Sequence, residues 1–421
     1  MRLFSTLTQN VEELRPYRPE ATLYVCGITP YDTTHLGHAF INVVYDTLRR
    51  YLEWRGQPLR YVQNVTDIDD DILRKAREVG STWEELGKRE TQRYVNDLTA
   101  LNVCPPTEYL RASSEMARMF AMIEQLLRRG LAYEHEGWVY YDVSADPGFG
   151  KLASAAGFNG YESWLKTANE RGNFPNDPRK SDPLDFVMWQ GRQVEGEPSW
   201  PSPWGQGRPG WHIECSALVT AHLGNRIDVH GGGYDLVFPH HTCEIATSES
   251  ATGESPFSQV WMHCAMVSLD GQKMSKSLGN LVLAADLLKT YSPDAIRLML
   301  LANHYRAPWE YFTKDMEAAA ARAAQYTAAA KVAHATFSAN DPDTYADDEV
   351  ASLAVGNFIE ALDEDLDTPG AISVLDGLAA AILEAPTAAR GDALAELSGV
   401  LGLRLGAIIP SAPAWVSPYG K

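Results

Sequence analysis

Residues 23–38 read LYVCGITPYDTTHLGH, and the change of character along this stretch decides the fold. Leu23-Tyr24-Val25-Cys26-Gly27-Ile28 is a continuous apolar run of strand length, the pattern of a strand covered on both faces. Thr29-Pro30-Tyr31-Asp32 reads as a turn. His35-Leu36-Gly37-His38 then opens a helix expected to run through about Trp54, where Gly56-Gln57 ends it. A second strand follows at Leu59-Arg60-Tyr61-Val62-Gln63-Asn64-Val65. Strand, helix and strand at these lengths make a right-handed crossover, so the two strands lie parallel. The expected fold class is α/β, a Rossmann-like doubly wound parallel sheet.

Outward from this unit, residues from about 69 to 101 are helical by pattern. Residues 105–195 read as an inserted subdomain: two helical stretches, the aromatic strand Trp138-Val139-Tyr140-Tyr141, and a loop rich in Asn, Gly, Pro and charge from Asn169 to Asp185. Residues 196–211, dense in Pro, Gly and Trp, read as an ordered functional loop. Strand patterns return at 226–230 and 259–267. From Ala284 the chain turns helical, and residues 315–335 and 350–403 carry a 3.6-residue period of Ala, Leu and Glu. The division that follows is a catalytic domain of 1–104 and 196–290, an insertion of 105–195, a junction of 291–335, and a C-terminal α-helical bundle of 336–421.

The 421 residues carry a formal net charge of −19. Such an acidic body lacks the broad basic field that a sequence-blind nucleic-acid binder needs, although a local basic groove remains compatible with it. Five irregularly spaced cysteines, Cys26, Cys104, Cys215, Cys243 and Cys264, are no secreted disulfide framework and suit a cytoplasmic enzyme with reduced thiols. Neither a signal-peptide core nor an apolar run of spanning length is present. No sequence signature of assembly stands out, and a monomer is expected.

Chemistry concentrates at three stations. At the first, His35 and His38 flank Gly37 where a strand turns into a helix, a place whose free N–H groups and dipole favour an anion. At the second, Lys273-Met274-Ser275-Lys276-Ser277 places two lysines three apart in a Gly- and Ser-flanked loop, able to reach a pyrophosphate. The third is dispersed: Cys26, then Cys215 in Trp211-His212-Ile213-Glu214-Cys215, then His240 and Glu244, four apart and so on one helical face. Two thiolates, an imidazole and a carboxylate suit Zn²⁺. By spacing alone the cysteines read equally well as small core residues, and His241 and Cys243 are alternative ligands.

The first two stations, in this order, resemble the paired signatures of class I aminoacyl-tRNA synthetases. That resemblance implies an ATP site made by Thr34, His35, Gly37, His38, Gly231, Gly232, Gly233, Asp235 and Lys276, with Mg²⁺ accompanying the nucleotide. His35, His38, Lys273 and Lys276 would be the catalytic groups. Cys26 with Thr66-Asp67-Ile68-Asp69-Asp70, Pro203-Trp204-Gly205, residues 207–215 and His230-Gly231-Gly232-Gly233 further resemble the cysteinyl-tRNA synthetase family, over about residues 1–315. This implies one zinc held by Cys26, Cys215, His240 and Glu244, binding the thiolate of L-cysteine. Cys26, Thr66, Trp211 and His230 would form the cysteine pocket. A soft metal separates cysteine from serine where a cavity does so poorly.

The expected reaction is activation of L-cysteine to cysteinyl-adenylate. Two acceptors compete. The sequence is similar to mycothiol cysteine ligases in residues 27–39, in Glu170-Arg171-Gly172 ahead of Asp182-Pro183-Leu184-Asp185, and in His304-Tyr305-Arg306 with Trp309-Glu310. A full anticodon-contacting module after the bundle is also missing from the pattern. It is similar to tRNA ligases at Glu244, a position where the mycothiol ligases are expected to lack a carboxylate, at 276–280, and at residues 362–369, where Asp367 stands in place of their usual Asn. The balance falls on the 3′ end of tRNA-Cys, with the amine of glucosaminyl-inositol as the alternative. Arg171, Arg179 and Lys180 are candidate acceptor contacts. A paralogue without catalysis would have lost one of the signature groups, and all are present.

Overall fold

The computed structural model describes residues 1–31, 34–192, 197–274, 279–336 and 348–420. Its centre is a five-stranded parallel sheet of β1 (Ala21–Ile28), β2 (Leu59–Val65), β3 (Glu108–Arg111), β4 (Ile227–Gly233) and β5 (Ser258–Cys264), in the spatial order β5-β4-β1-β2-β3. Strand order reverses between β1 and β4, which makes the crevice beyond their carboxyl ends the expected ligand position of a doubly wound sheet. Both strands are almost fully buried, β1 as its apolar run requires.

Helix α1 (Leu36–Trp54) packs on the sheet through Phe40, Val43, Val44, Leu48 and Leu52. Its N-cap, His35, is extended and accepts a hydrogen bond from the Gly37 N–H, satisfying one of the donors a helix start leaves free. The helical stretch expected at 69–101 is two helices, Asp70–Val79 and Trp83–Ala100, broken where Gly80 takes φ 67°.

An antiparallel five-stranded sheet is built from Ala132–His135, Trp138–Tyr141, Phe186–Gly191, Trp200–Ser202 and Gly205–Pro209. It extends beyond the 105–195 assigned from the sequence. At the other end, β3 pairs with β2 and belongs to the parallel sheet. Within the stretch read as a loop at 196–211, Trp200–Ser202 and Gly205–Pro209 form a hairpin. Gly and Pro lower strand propensity there, but pairing of 207–209 against 189–191 supplies the ladder that propensity does not.

After helix α2 (Trp211–His222) and helix α3 (Thr242–Thr252) come α4 (Pro293–Leu301), α5 (Thr313–Thr336), α6 (Glu349–Asp363), α7 (Thr368–Glu384) and α8 (Ala388–Val400). The bundle therefore starts with α5, ahead of the 336 boundary, since Met316, Ala319, Ala323 and Tyr326 share a core with Leu375, Leu378, Leu394 and Leu397. Among the described residues no helix is long and apolar enough to cross a membrane.

Candidate active site and metal centre

Cys26 lies near the end of β1, Cys215 in the first turns of α2, His240 in the turn before α3 and Glu244 at its start. Their ligand atoms lie within 4.8 Å of one another, and all four residues are buried. Cys26 Sγ is 3.8 Å from Cys215 Sγ and 3.4 Å from Glu244 Oε1, and His240 Nε2 is 3.1 Å from the same oxygen. The parallel sheet and two helices thus assemble four residues that the chain scatters over more than two hundred positions.

The donors suit a soft dication. Burial pushes both thiols up, Cys26 strongly, so each would be a costly lone thiolate without a cation beside it. Burial holds His240 down at about 3, leaving a neutral imidazole free to ligate. Burial works against ionisation of Glu244, but His230 and His240 outweigh it and lower its pKa. His240 presents Nε2 to the centre while its Nδ1 is 3.0 Å from His212 Nδ1, the kind of outer contact that fixes a ligand ring. Trp211 stacks on His240 at 4.2 Å.

Further buried groups surround this centre, among them His263 and Thr6, which carried no role in the sequence reading. His241 Nε2 is 3.2 Å from Cys26 Sγ, its Nδ1 is 2.7 Å from His263 Nε2, and His263 Nδ1 is 2.8 Å from Thr6 Oγ1. Cys26, His230 and His241 form a second close donor group sharing Cys26. His230 Nε2 contacts Glu244 Oε2 at 2.9 Å and its ring stacks on Trp261 at 4.3 Å. The His240-His241 doublet was the legible signal; His263 carried none, because β5 places it only through sheet pairing.

Thr66 is buried directly after β2, its N–H donating to Ile28 O and its hydroxyl accepting from Asn64 Nδ2. His230 is fully buried in β4, whereas Trp211 keeps partial exposure at the start of α2. Cys26, Trp211 and His230 thus lie on β1, α2 and β4, and Thr66 lies just after β2.

The segment that follows the lysine loop meets the start of α1. His35 and His38 stack at 3.8 Å. Leu36 N–H donates to Val282 O, and Ala284 N–H donates to Thr34 O, so the segment after the lysine loop lies against the start of α1. Of Lys273 only the backbone is described, paired with Ser268, and Lys276 lies outside the described residues. The glycine run serves packing too. A Cβ on Gly231 would lie 2.4 Å from the Tyr45 ring, and one on Gly232 would lie 2.8 Å from His241. Tyr45 Oη donates to Met262 O and accepts from Gly232 N–H. Asp235 lies two residues beyond the strand, in the short 3-10 turn Tyr234–Leu236.

The three basic residues proposed for acceptor contact are engaged within the protein. Arg171 donates to the carbonyls of Asp235 and Phe238. Arg179 pairs with Asp177 at 2.8 Å and lies 3.9 Å over the Trp138 ring. Lys180 Nζ donates to Asn173 Oδ1 at 2.5 Å, and burial pulls its pKa down to about 8.

A match to the tRNA synthetases class I (C) catalytic domain spans residues 13–321, and a match to the DALR domain spans 357–406. The chain belongs to the class I tRNA synthetase family. Its relatives include the L-cysteine:1D-myo-inositol 2-amino-2-deoxy-alpha-D-glucopyranoside ligases of Streptosporangium roseum and Thermomonospora curvata. Both are 42% identical; the first match covers 90% of this chain and 88% of the relative, the second 96% and 94%. The cysteine--tRNA ligase of Symbiobacterium thermophilum is 41% identical, with 96% of this chain and 87% of the relative covered. Mycobacterium tuberculosis methionyl-tRNA synthetase in complex with methionyl-adenylate superposes with a TM-score of 0.62 at 15% identity, covering 93% of this chain and 91% of that one. The class I synthetase architecture thus extends over the parallel sheet, the insertion and the helical C-terminal region.

Proposed function

We propose that this class I synthetase-family enzyme activates L-cysteine with ATP and joins it to the amine of glucosaminyl-inositol. The reading with tRNA-Cys as acceptor, which the sequence motifs put first, becomes the second. The observation that carries the choice is electrostatic. From Thr313 onward, where a synthetase bundle would lie along an RNA stem, six lysines and arginines stand against sixteen aspartates and glutamates. Such a charge balance disfavours phosphates. The ligases that act on the amino sugar, at 42% identity, support the same choice. So does Arg171, from the Glu170-Arg171-Gly172 stretch similar to those ligases, which ties the insertion to the backbone between the glycine run and His240.

In this reading the start of α1, with His35 and His38, receives the ATP phosphates, and Gly231–Gly233 lie beside the adenosine. Thr66, Trp211 and His230 orient cysteine so that its carboxylate attacks the α-phosphorus and pyrophosphate leaves. Lys273 and Lys276 offset the charge that builds during this step. Cys26, Cys215, His240 and Glu244 would hold zinc, a Lewis acid whose preference for thiolate selects cysteine. The neutral acceptor amine then attacks the cysteinyl carbonyl and AMP leaves, giving an amide.

Glu244 favours the second reading: its carboxylate completes the four-donor group, at a position where the resemblance implies that the mycothiol ligases lack one. The test is transfer by the purified zinc enzyme with ATP and cysteine, offering glucosaminyl-inositol in one reaction and tRNA-Cys in another. Amide formation without charging supports the proposal. Stable charging of tRNA with no amide overturns it.

A further inference from the structure

Beyond the bundle, residues 409–420 run back across the catalytic half and dock there. Ala412 N–H donates to Asn102 Oδ1 at 2.7 Å and Trp415 N–H to Thr99 Oγ1 at 3.3 Å. The buried Trp415 donates through Nε1 to Val103 O at 2.9 Å, and its ring meets Tyr94 and Tyr109 edge-on at 6.2 and 5.3 Å. Trp415 thus anchors the segment over the helix Trp83–Ala100 and the edge strand β3.

This anchor delivers Tyr419 to the support of the cysteine pocket. The Arg111 guanidinium, at the end of β3, lies 4.8 Å over the Tyr419 ring. The same guanidinium is 3.8 Å from Asp67 Oδ2. Asp67 is fully buried and adjoins Thr66; its carboxylate accepts from Ser113 N–H at 2.9 Å and Ser113 Oγ at 2.5 Å. A second contact has the same direction. Gly87 interrupts a helix interior, where glycine is less favourable than alanine. A Cβ there would lie 2.8 Å from Tyr419 Oη and 3.9 Å from Pro30 Cγ, in the turn that leads to His35. The glycine leaves the room that the Tyr419 hydroxyl occupies.

We propose that Tyr419 is a positioning residue for cysteine activation: its ring fixes Arg111, and Arg111 with Ser113 holds Asp67 and so sets Thr66. This rests on the reading of Thr66 as a pocket residue. The C-terminal segment, distant in sequence from every signature motif, is then part of the amino-acid site's support.

The experiment is cysteine-dependent ATP–pyrophosphate exchange by the zinc holoenzyme, with Tm and zinc content measured on each variant. Tyr419→Leu is expected to raise KM for cysteine about threefold to tenfold, the scale of one cation–π contact, with kcat and KM for ATP within about twofold. Tyr419→Phe keeps the ring and should restore the wild-type KM. Gly87→Ala strengthens the helix yet displaces the tyrosine, so it should raise KM for cysteine without lowering Tm. Thr66→Val reports on the pocket itself. If it raises KM for cysteine while Tyr419→Leu and Gly87→Ala leave it unchanged, the tail's role is overturned and the pocket stands. If Thr66→Val also leaves KM unchanged, the pocket reading falls and the proposal with it.

Discussion

Arg297 and Asp46 form a fully buried ion pair, Nη2 to Oδ2 at 2.7 Å, across 251 residues of chain. Asp46 sits on α1, the helix that opens with His35 and His38, and Arg297 on α4, which follows the lysine loop. Arg50 also pairs with Asp46 at 2.8 Å, and the Cys104 N–H donates to its other oxygen. Arg297 further donates to the carbonyls of Leu401 and Leu101, tying in the end of the bundle. One guanidinium therefore joins the helix that His35 opens and the helix after the lysine loop to the C-terminal helices.

Removing that guanidinium leaves a buried carboxylate short of a partner and two carbonyls short of a donor. Arg297→Ala should cost about 3–5 kcal/mol of stability. Chemical denaturation checks this; a loss under about 1 kcal/mol would show that the site relaxes around water.

The pH dependence follows from Asp46. Burial pushes its carboxyl up, but Arg297, Arg50 and the Cys104 N–H outweigh it and hold the pKa below the usual carboxylate range. A group depressed on folding adds stability above its unfolded pKa of about 3.9 and loses it as pH falls through the folded value. Asp46→Asn should be less stable than wild type at neutral pH, with the gap narrowing below about pH 4. Denaturation midpoints at a series of pH values measure it, and a gap independent of pH would rule out this linkage.

At the candidate metal centre, Cys215→Ser should lower zinc content and raise KM for cysteine. Atomic emission on purified protein and pyrophosphate exchange report the two effects. Full occupancy with normal cysteine affinity would remove Cys215 from the ligand set. Chelation should lower Tm as well, because an ion that binds only the native fold stabilises it.

For the lysine loop, Lys276→Ala should slow adenylate formation about 10²–10³-fold, the cost of removing one transition-state charge partner. Zinc content should be unchanged. Preserved activation would contradict the role given to Lys276.

Salt separates the two acceptors. With an amino sugar, KM for the acceptor should change little between about 50 and 200 mM salt, whereas an RNA held by several phosphate contacts would lose affinity by orders of magnitude over that range. A steep salt dependence of acceptor KM would point back to nucleic acid.

Much of this molecule follows from short-range rules that a sequence displays. The apolar run 23–28 had to be a buried strand, and His35-Leu36-Gly37-His38 had to start a helix, because strand burial and helix capping depend on neighbouring residues alone. The helical period of α5 to α8 was legible for the same reason, although residues 350–403 read as one stretch and are three helices. The ligand set was named through family resemblance, since spacing left Cys26 and Cys215 equally plausible as core residues. The tertiary structure decided what has no local pattern. It brought Cys26 to Cys215 across 189 positions, turned residues 200–209 into strands through pairing, and committed Arg171 to backbone carbonyls. It also laid Tyr419 over Arg111. Each of these is a long-range contact whose free energy comes from desolvation and pairing in the assembled core, and neither term exists until the distant segments have met.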